Sequence, residues 1–313
     1  METSNPGLPI VIPAYQRPEK LLSRYSEVKE WTRFSSLNIS IDGLRPKSDD
    51  DELMRRAEVI EVAEEIASTD NRVNVWVWSE NPGVNDHIAR IFSKMKSSDG
   101  LIVIEDDVGV SEVAMNFLQD NVNLSGSLAS TAHVANCHVN LNASSSRASV
   151  FPNQWGLAVA KPVMETYLDI IKGKKIERSS VSKLFHRTFG DYLSRLQIQR
   201  LVQWWFNHFF FCKQHGNWAD ALIQYSVYAN DGFYRVPARS LIIDDNALHD
   251  SRSMHPRESY EPVISCEKAQ IAPQANFYTC VSCEIRNSRL EQASIRNLIG
   301  ATKHRKYLQL RAR

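Results

Sequence analysis

The sequence has no excess of either charge: 37 Lys and Arg stand against 36 Asp and Glu in 313 residues, a formal net charge of +1. No field of one sign exists to draw nucleic acid to the whole molecule, so nucleic acid is not expected as a partner and any charged ligand has to be met locally. Long apolar runs are missing too. Nothing approaches the roughly 18 to 20 apolar residues of a membrane-spanning helix, and the most apolar stretch, 201–211, is broken by Gln203, Asn207 and His208. Residues 1–9 are polar and carry Pro6 and Gly7 where a secretory signal would be basic and then apolar, so a cytoplasmic chain is expected. Cysteine is scarce. Cys137, Cys212, Cys266, Cys280 and Cys283 are an odd, scattered set that suits reduced thiols better than a disulfide framework. Cys280 and Cys283 have CxxC spacing, but with no second Cys or His pair nearby they read as ordinary thiols rather than a zinc site.

What is present is an alternation of short apolar strands with amphipathic helices. Residues 8–12 and 37–41 read as strands, the second ended by the turn Asp42-Gly43, and 18–34 carries apolar residues at helical spacing between them. Residues 49–66 predict a second helix, 72–78 a third strand, 84–96 a third helix and 101–104 a short buried strand. This is the start of a parallel α/β sheet. From residue 162 onward the chain reads as mainly helical, with an aromatic block (Trp204, Trp205, Phe206, Phe209, Phe210, Phe211), a helix over 218–229 and short strands over 233–236 and 240–243. The expected class is therefore α/β, a mostly parallel, Rossmann-like sheet flanked by helices, followed by a helical, aromatic-rich portion.

The fourth strand runs directly into Glu105, Asp106 and Asp107. Ligands of open α/β sheets bind beyond the carboxyl ends of the strands, where these acids must lie. Hard oxygen ligands suit Mn2+ or Mg2+, and one or two protein carboxylates suffice when phosphate oxygens and water fill the other positions. Alternation along an extended segment sends Glu105 and Asp107 to one side and Asp106 to the other. Asp107 is thus the expected metal ligand, and Asp106 is expected on the donor ribose or a metal-bound water.

Five pieces in order carry a family resemblance: Pro9-Ile10-Val11-Ile12-Pro13-Ala14-Tyr15-Gln16-Arg17-Pro18, Ile39-Ser40-Ile41-Asp42-Gly43, Asn81-Pro82-Gly83, Ile102-Val103-Ile104-Glu105-Asp106-Asp107 and Gln154-Trp155-Gly156-Leu157-Ala158. Over roughly residues 8–255 the chain resembles the inverting nucleotide-sugar glycosyltransferases with the GT-A fold, especially the N-acetylglucosaminyltransferase I type and related bacterial sugar transferases. The resemblance implies a domain over 1–260, with a nucleotide-sugar half at about 1–110 and an acceptor half at about 111–260, and an extension over 261–313. It implies a nucleoside diphosphate sugar as donor, UDP favoured over GDP, a divalent cation on a DXD-like motif, and a glycan or lipid-linked glycan as acceptor. By the same resemblance Pro13, Ala14, Tyr15, Arg17 and Asp42 lie against the nucleotide, with Arg17 near the base or diphosphate, and Asn81, Gly83, Glu105, Asp106 and Trp155 belong to the same binding region.

Inversion at the anomeric carbon needs a base for the acceptor hydroxyl. In the family this is an acid beside a Trp, before a helix that ends in a Gly turn and a Val-Pro strand. Trp218-Ala219-Asp220, followed by Asn230-Asp231-Gly232 and Val236-Pro237, matches, which makes Asp220 the candidate base. His255, with His249 as runner-up, is the expected later ligand of the metal or diphosphate. The chain departs from the family at Ile243-Asp244-Asp245-Asn246, where Ser-Asn-Ile-Gly is usual, and lacks a second Trp near Trp155. The tail over 286–313, rich in Arg and Lys, reads as a helix packed on the body or as a contact with a membrane face. A nucleotidyltransferase would open with a Gly-rich loop after the first strand, whereas residues 14–19 contain no Gly. A carbohydrate-binding scaffold that has lost the chemistry is the non-enzymatic alternative.

Overall fold

A computed structural model of the chain describes residues 7–31, 33–122, 126–132, 147–149, 156–191, 193–214, 218–237 and 241–244. Its first half is a regular alternation: β1 (Ile10–Ala14), α1 (Pro18–Val28), β2 (Leu37–Ile41), α2 (Asp50–Thr69), β3 (Val73–Val77), α3 (Val84–Lys94) and β4 (Gly100–Val103). These four strands are mutually parallel and stand side by side in the order β3-β2-β1-β4. Pro18 opens α1, where a missing N–H costs nothing. The Asp49 carboxylate caps α2 by accepting from Glu52 N at 2.8 Å. The predicted first helix stops at Val28 rather than 34. Trp31 and Phe34, which extended its apolar spacing, instead pack against each other in the link to β2, with ring centroids 6.1 Å apart.

Beyond β4 the sheet becomes mixed. β5 (Val108–Val110) leads into α4 (Glu112–Asn121), β6 (Ser127–Thr131), β7 (Arg147–Ser149) and β8 (Leu157–Ala160). Then come α5 (Lys161–Ile171), α6 (Arg178–Phe189), α7 (Arg195–Gln214), α8 (Ala219–Ala229), β9 (Phe233–Val236) and β10 (Ile242–Asp244). β8 inserts antiparallel against β4, and β6, β9 and β7 extend the main sheet to eight strands in the order β3-β2-β1-β4-β8-β6-β9-β7. β10 pairs antiparallel with β5 in a separate two-stranded ribbon. The expected α/β class with flanking helices and an aromatic helical portion holds.

The apolar runs of the central strands have a simple cause: both faces of the sheet are covered. Ile10, Ile12, Ile102 and Ile104 point into one core, shared with α1, α2 and α4, while Val11, Leu101, Val103 and Val159 point into the other, shared with α3 and α5 to α8. Each such aliphatic side chain contributes about 1.5 to 3 kcal/mol by leaving water. The second core is built around Trp205. Its ring stacks on Phe209 at 5.2 Å and meets Tyr228 at 5.5 Å, and its Nε1 donates to Gln224 Oε1 at 2.8 Å. Most of the aromatic block is thus packing.

A buried polar knot fastens α3 to the sheet. His87 Nε2 lies 2.8 Å from Ser40 Oγ, and Trp78 Nε1 donates to the same hydroxyl at 3.0 Å. Burial, assisted by the nearby Arg90 cation, lowers the His87 pKa from 6.5 to about 4. The unfolded chain takes up this proton near pH 6.5 and the folded chain resists it, so the stability is intact above pH 6.5 and drains away as pH falls toward 4. Linkage puts the loss at about 3 kcal/mol. In urea unfolding at stepped pH, His87→Gln should show a flatter decline than the wild type between pH 6.5 and 4; parallel declines would mean that His87 is not what makes the fold acid-sensitive.

Candidate functional site

The carboxyl ends of the four parallel strands deliver their loops to one edge of the sheet. The chain leaves β1 and turns to one side, through α1 to β2, and it enters β4 on the other side after crossing from β3. The crevice between the ends of β1 and β4 is therefore the switch point of the topology. Two loops meet there.

Arg17, from the loop after β1, closes this crevice onto the acids after β4. Its Nε donates to Asp106 Oδ2 at 3.1 Å, its Nη2 donates to Asp106 Oδ1, and its Nη1 donates to Asp107 Oδ2 at 3.2 Å. The fork geometry of a guanidinium suits this two-pronged grip on one carboxylate. Burial opposes the Arg17 charge, but Asp106 and Asp107 outweigh it and raise the pKa. On the other side, burial pushes Asp106 up to about 6 against the pull of Arg17, which leaves the pair ionised at neutral pH. The sequence expectation had Arg17 near the base or diphosphate; here it spends its donors on the acids themselves.

The three acids differ in setting. A turn at Asp106 and Asp107 replaces the extended geometry expected from the sequence, yet the sidedness holds in part: Asp106 is buried, Asp107 half-buried and Glu105 exposed. Glu105, although solvent-accessible, has protein packed around its carboxyl. Burial there, followed by the charges of Asp107, Asp220 and Asp106, holds its carboxyl well above the usual range. Asp220, in the first turn of α8, is thus brought within electrostatic reach of the acids after β4 from more than 100 residues away in sequence. The same carboxylate, after burial, raises the pKa of Tyr167, Cys212 and Tyr234. The first turn of a helix, rich in unbonded N–H groups, is a favourable place for such an anion.

Asp42 sits at the end of β2. Its Oδ1 accepts from Gly43 N at 2.8 Å, burial raises its pKa, and the cations of Arg90, Arg56 and Arg45 draw it back down. Gly43 is required by a close approach, since a Cβ there would stand 2.0 Å from the Glu80 carbonyl carbon. Tyr15 is fixed by donating to Glu52 Oε1 while its hydroxyl accepts from Arg45 N at 3.2 Å. Pro13 and Ala14 are the last residues of β1, half-buried and buried. At the end of β3, Asn81 Oδ1 accepts from Gly83 N at 3.0 Å, and Gly83, with φ at 94°, opens α3. These two residues shape the loop into the helix.

Trp155, His249 and His255 lie outside the described residues, as do Cys280, Cys283 and the tail. Reading the sequence missed Glu52, Arg45, Arg56 and Arg90. Arg45, two residues past the Asp42-Gly43 turn, was within reach of a local reading; Arg56 and Arg90 sit on helices where their charge looked like ordinary solvated surface.

Among the described residues no group of three His, Cys, Asp or Glu side chains is arranged to hold a metal ion by itself. The donor chemistry nevertheless suits a hard divalent cation in a site completed by a ligand. Glu105 and Asp107 are oxygen donors, and the charges of Asp107, Asp220 and Asp106 add to burial in raising the Glu105 pKa despite Arg17.

No protein-family profile matches the sequence, and neither does any curated protein. Among solved structures, the chain is similar to glucosyl-3-phosphoglycerate synthase from Mycobacterium tuberculosis in complex with Mn2+, UDP and glucosyl-3-phosphoglycerate, at 15% identity and a TM-score of 0.35, over 52% of this chain and 60% of that one. It is also similar to S. aureus TarS 1–349, at 8% identity and a TM-score of 0.37, over 51% of this chain and 48% of that one. The matches thus span between about half and three fifths of those chains, and likeness this low does not decide what the site does.

Proposed function

We propose that the chain is an inverting, metal-dependent glycosyltransferase that uses a nucleoside diphosphate sugar, UDP favoured, and a glycan or glycoconjugate acceptor. The observation that carries the reading is the meeting, at the switch point of the sheet, of Arg17 from β1 with Asp106 and Asp107 from β4, with Asp220 close enough to act on Glu105. A cleft that gathers a cation, hard carboxylates and a further separate acid suits a donor with a diphosphate leaving group. The five ordered sequence pieces that resemble GT-A transferases support the same reading.

In this mechanism Asp42 and the loop after β1 receive the nucleoside. Asp107, with Glu105 beside it, would hold the divalent cation, which when bound supplies Lewis-acid stabilisation of the leaving diphosphate. Arg17 keeps Asp106 ionised and oriented and brings a second positive charge to the same place. An Asp220 carboxylate oxygen takes the proton of the acceptor hydroxyl as the hydroxyl oxygen bonds to the anomeric carbon. The bond from the anomeric carbon to the diphosphate oxygen breaks, and the diphosphate leaves with the electron pair. General-base assistance of this kind is worth about 10²- to 10⁴-fold in rate.

Donor class and metal can be tested without knowing the acceptor. Thermal unfolding with UDP, GDP, CDP or dTDP, each with Mn2+ or EDTA, should show a rise with one nucleotide only when Mn2+ is present; a hundredfold excess over Kd stabilises by about 2.7 kcal/mol. Asp107→Ala should abolish the rise. If no nucleotide shifts the transition under either condition, the transferase reading fails. Separately, Asp220→Asn should keep the nucleotide-induced shift while donor turnover with an acceptor mixture drops by about 10²-fold or more; near-normal turnover would remove Asp220 as the base.

A further inference from the structure

The face of the molecule formed by α7 and the link between α5 and α6 does not share the charge balance of the chain. Between residues 172 and 213 there are nine Lys and Arg against Glu177 and Asp191, and two further acids reach these cations, Asp169 at 3.2 Å from Lys174 and Asp231 at 2.6 Å from Arg187 and 3.8 Å from Lys183, so the face keeps a positive excess. The 20-residue helix α7 contains no Asp or Glu at all. Its exposed stripe carries Leu196, Arg200 and Phe210, with Leu196 at 57% and Phe210 at 51% exposure, separated by uncharged Gln203 and Asn207. The basic link is contiguous with this stripe: the Arg178 guanidinium lies 5.9 Å from the Phe206 ring, and Phe206 lies 6.0 Å from Phe210. Lys172, Lys174 and Lys175, just before Arg178, are all exposed.

We infer that this face docks on an anionic lipid bilayer, with α7 lying in the plane of the interface. Exposed Phe and Leu side chains on a helix flanked by Lys and Arg provide the two ingredients of interfacial binding, apolar insertion and attraction to anionic headgroups. No helix among the described residues is long and apolar enough to cross a membrane, so the contact is peripheral. Charge also argues against the basic C-terminal tail as the occupant. Residues 286–313 carry eight Lys and Arg against one Glu, and two basic segments repel. The geometry gives the contact a use, because the carboxyl end of α7 abuts the start of α8: Phe209 meets Trp218 at 5.9 Å, two residues before Asp220. A surface-bound acceptor would approach from the side that carries the candidate base. The docking itself stands on α6 and α7 and does not depend on the reaction.

The test is co-sedimentation of the full chain with vesicles of phosphatidylcholine alone or mixed with equal phosphatidylglycerol. The wild type should bind the mixed vesicles and not the neutral ones, and the binding should weaken steeply as salt rises. A triple variant, Lys174→Gln, Lys175→Gln and Arg178→Gln, should weaken it by about 100-fold. Phe210→Ser should weaken binding while leaving its salt dependence in place, and both variants should unfold thermally near the wild-type temperature. Equal binding to neutral vesicles, or no binding to either kind, would overturn the inference. Undiminished binding by the triple variant would place the contact elsewhere on the chain, and dimerisation without vesicles that Phe210→Ser abolishes would make the face a contact between copies; either result overturns it as well.

Discussion

The grip of Arg17 on Asp106 and Asp107 is the constraint around which the first half of the molecule is arranged. Asp106 is buried, and a carboxylate so placed is costly unless a cation and good hydrogen-bond geometry accompany it. The cation has to come from the neighbouring strand, because only β1 ends beside β4 at that edge. The loop after β1 is short, and Pro18 starts α1 immediately after Arg17, so the guanidinium stands at the lip of the crevice and not further out over the sheet. The parallel pairing of β1 with β4, the abrupt helix start and the acidic turn form one arrangement, and the salt bridge is where they meet.

The second half supplies what the first cannot. It brings a further carboxylate toward the acids after β4 from outside the acidic turn. Asp220 arrives on α8, which is held by the aromatic core around Trp205 and by α5 packed alongside. The sheet and the helical layer thus each place carboxylates within electrostatic reach of Glu105.

Much of this was legible in the sequence because it is local. The strands read at 8–12 and 37–41, the first of which forms two residues later at Ile10–Ala14 and includes Pro13, the helices that follow them and the strand that runs into three acids are all written in periodicities of a few residues. The antiparallel insertion of β8 was not, since four small apolar residues, Leu157 to Ala160, fit either direction; pairing with β4 and β6 decides it. A strand was expected over 240–243, where β10 begins, but its pairing with β5 joins segments more than 130 residues apart, and the three residues of β5 are too few for any alternation to register. Arg17 was read as a nucleotide-binding residue, and its contact with the acids was not foreseen. Its contact with Asp106 spans 89 residues and is set by which strands are neighbours, a fact that no local pattern contains.

The two-sided construction has a mechanical consequence. The positions of Arg17 and Asp106 are set by backbone hydrogen bonds between adjacent strands, whose spacing scarcely varies, whereas Asp220 is positioned by rings and aliphatic groups pressed together, which can settle into slightly different arrangements after a change of volume. A change of side-chain volume in the helical layer would therefore shift Asp220 relative to Arg17 and Asp106, whose own places the strand pairing holds fixed.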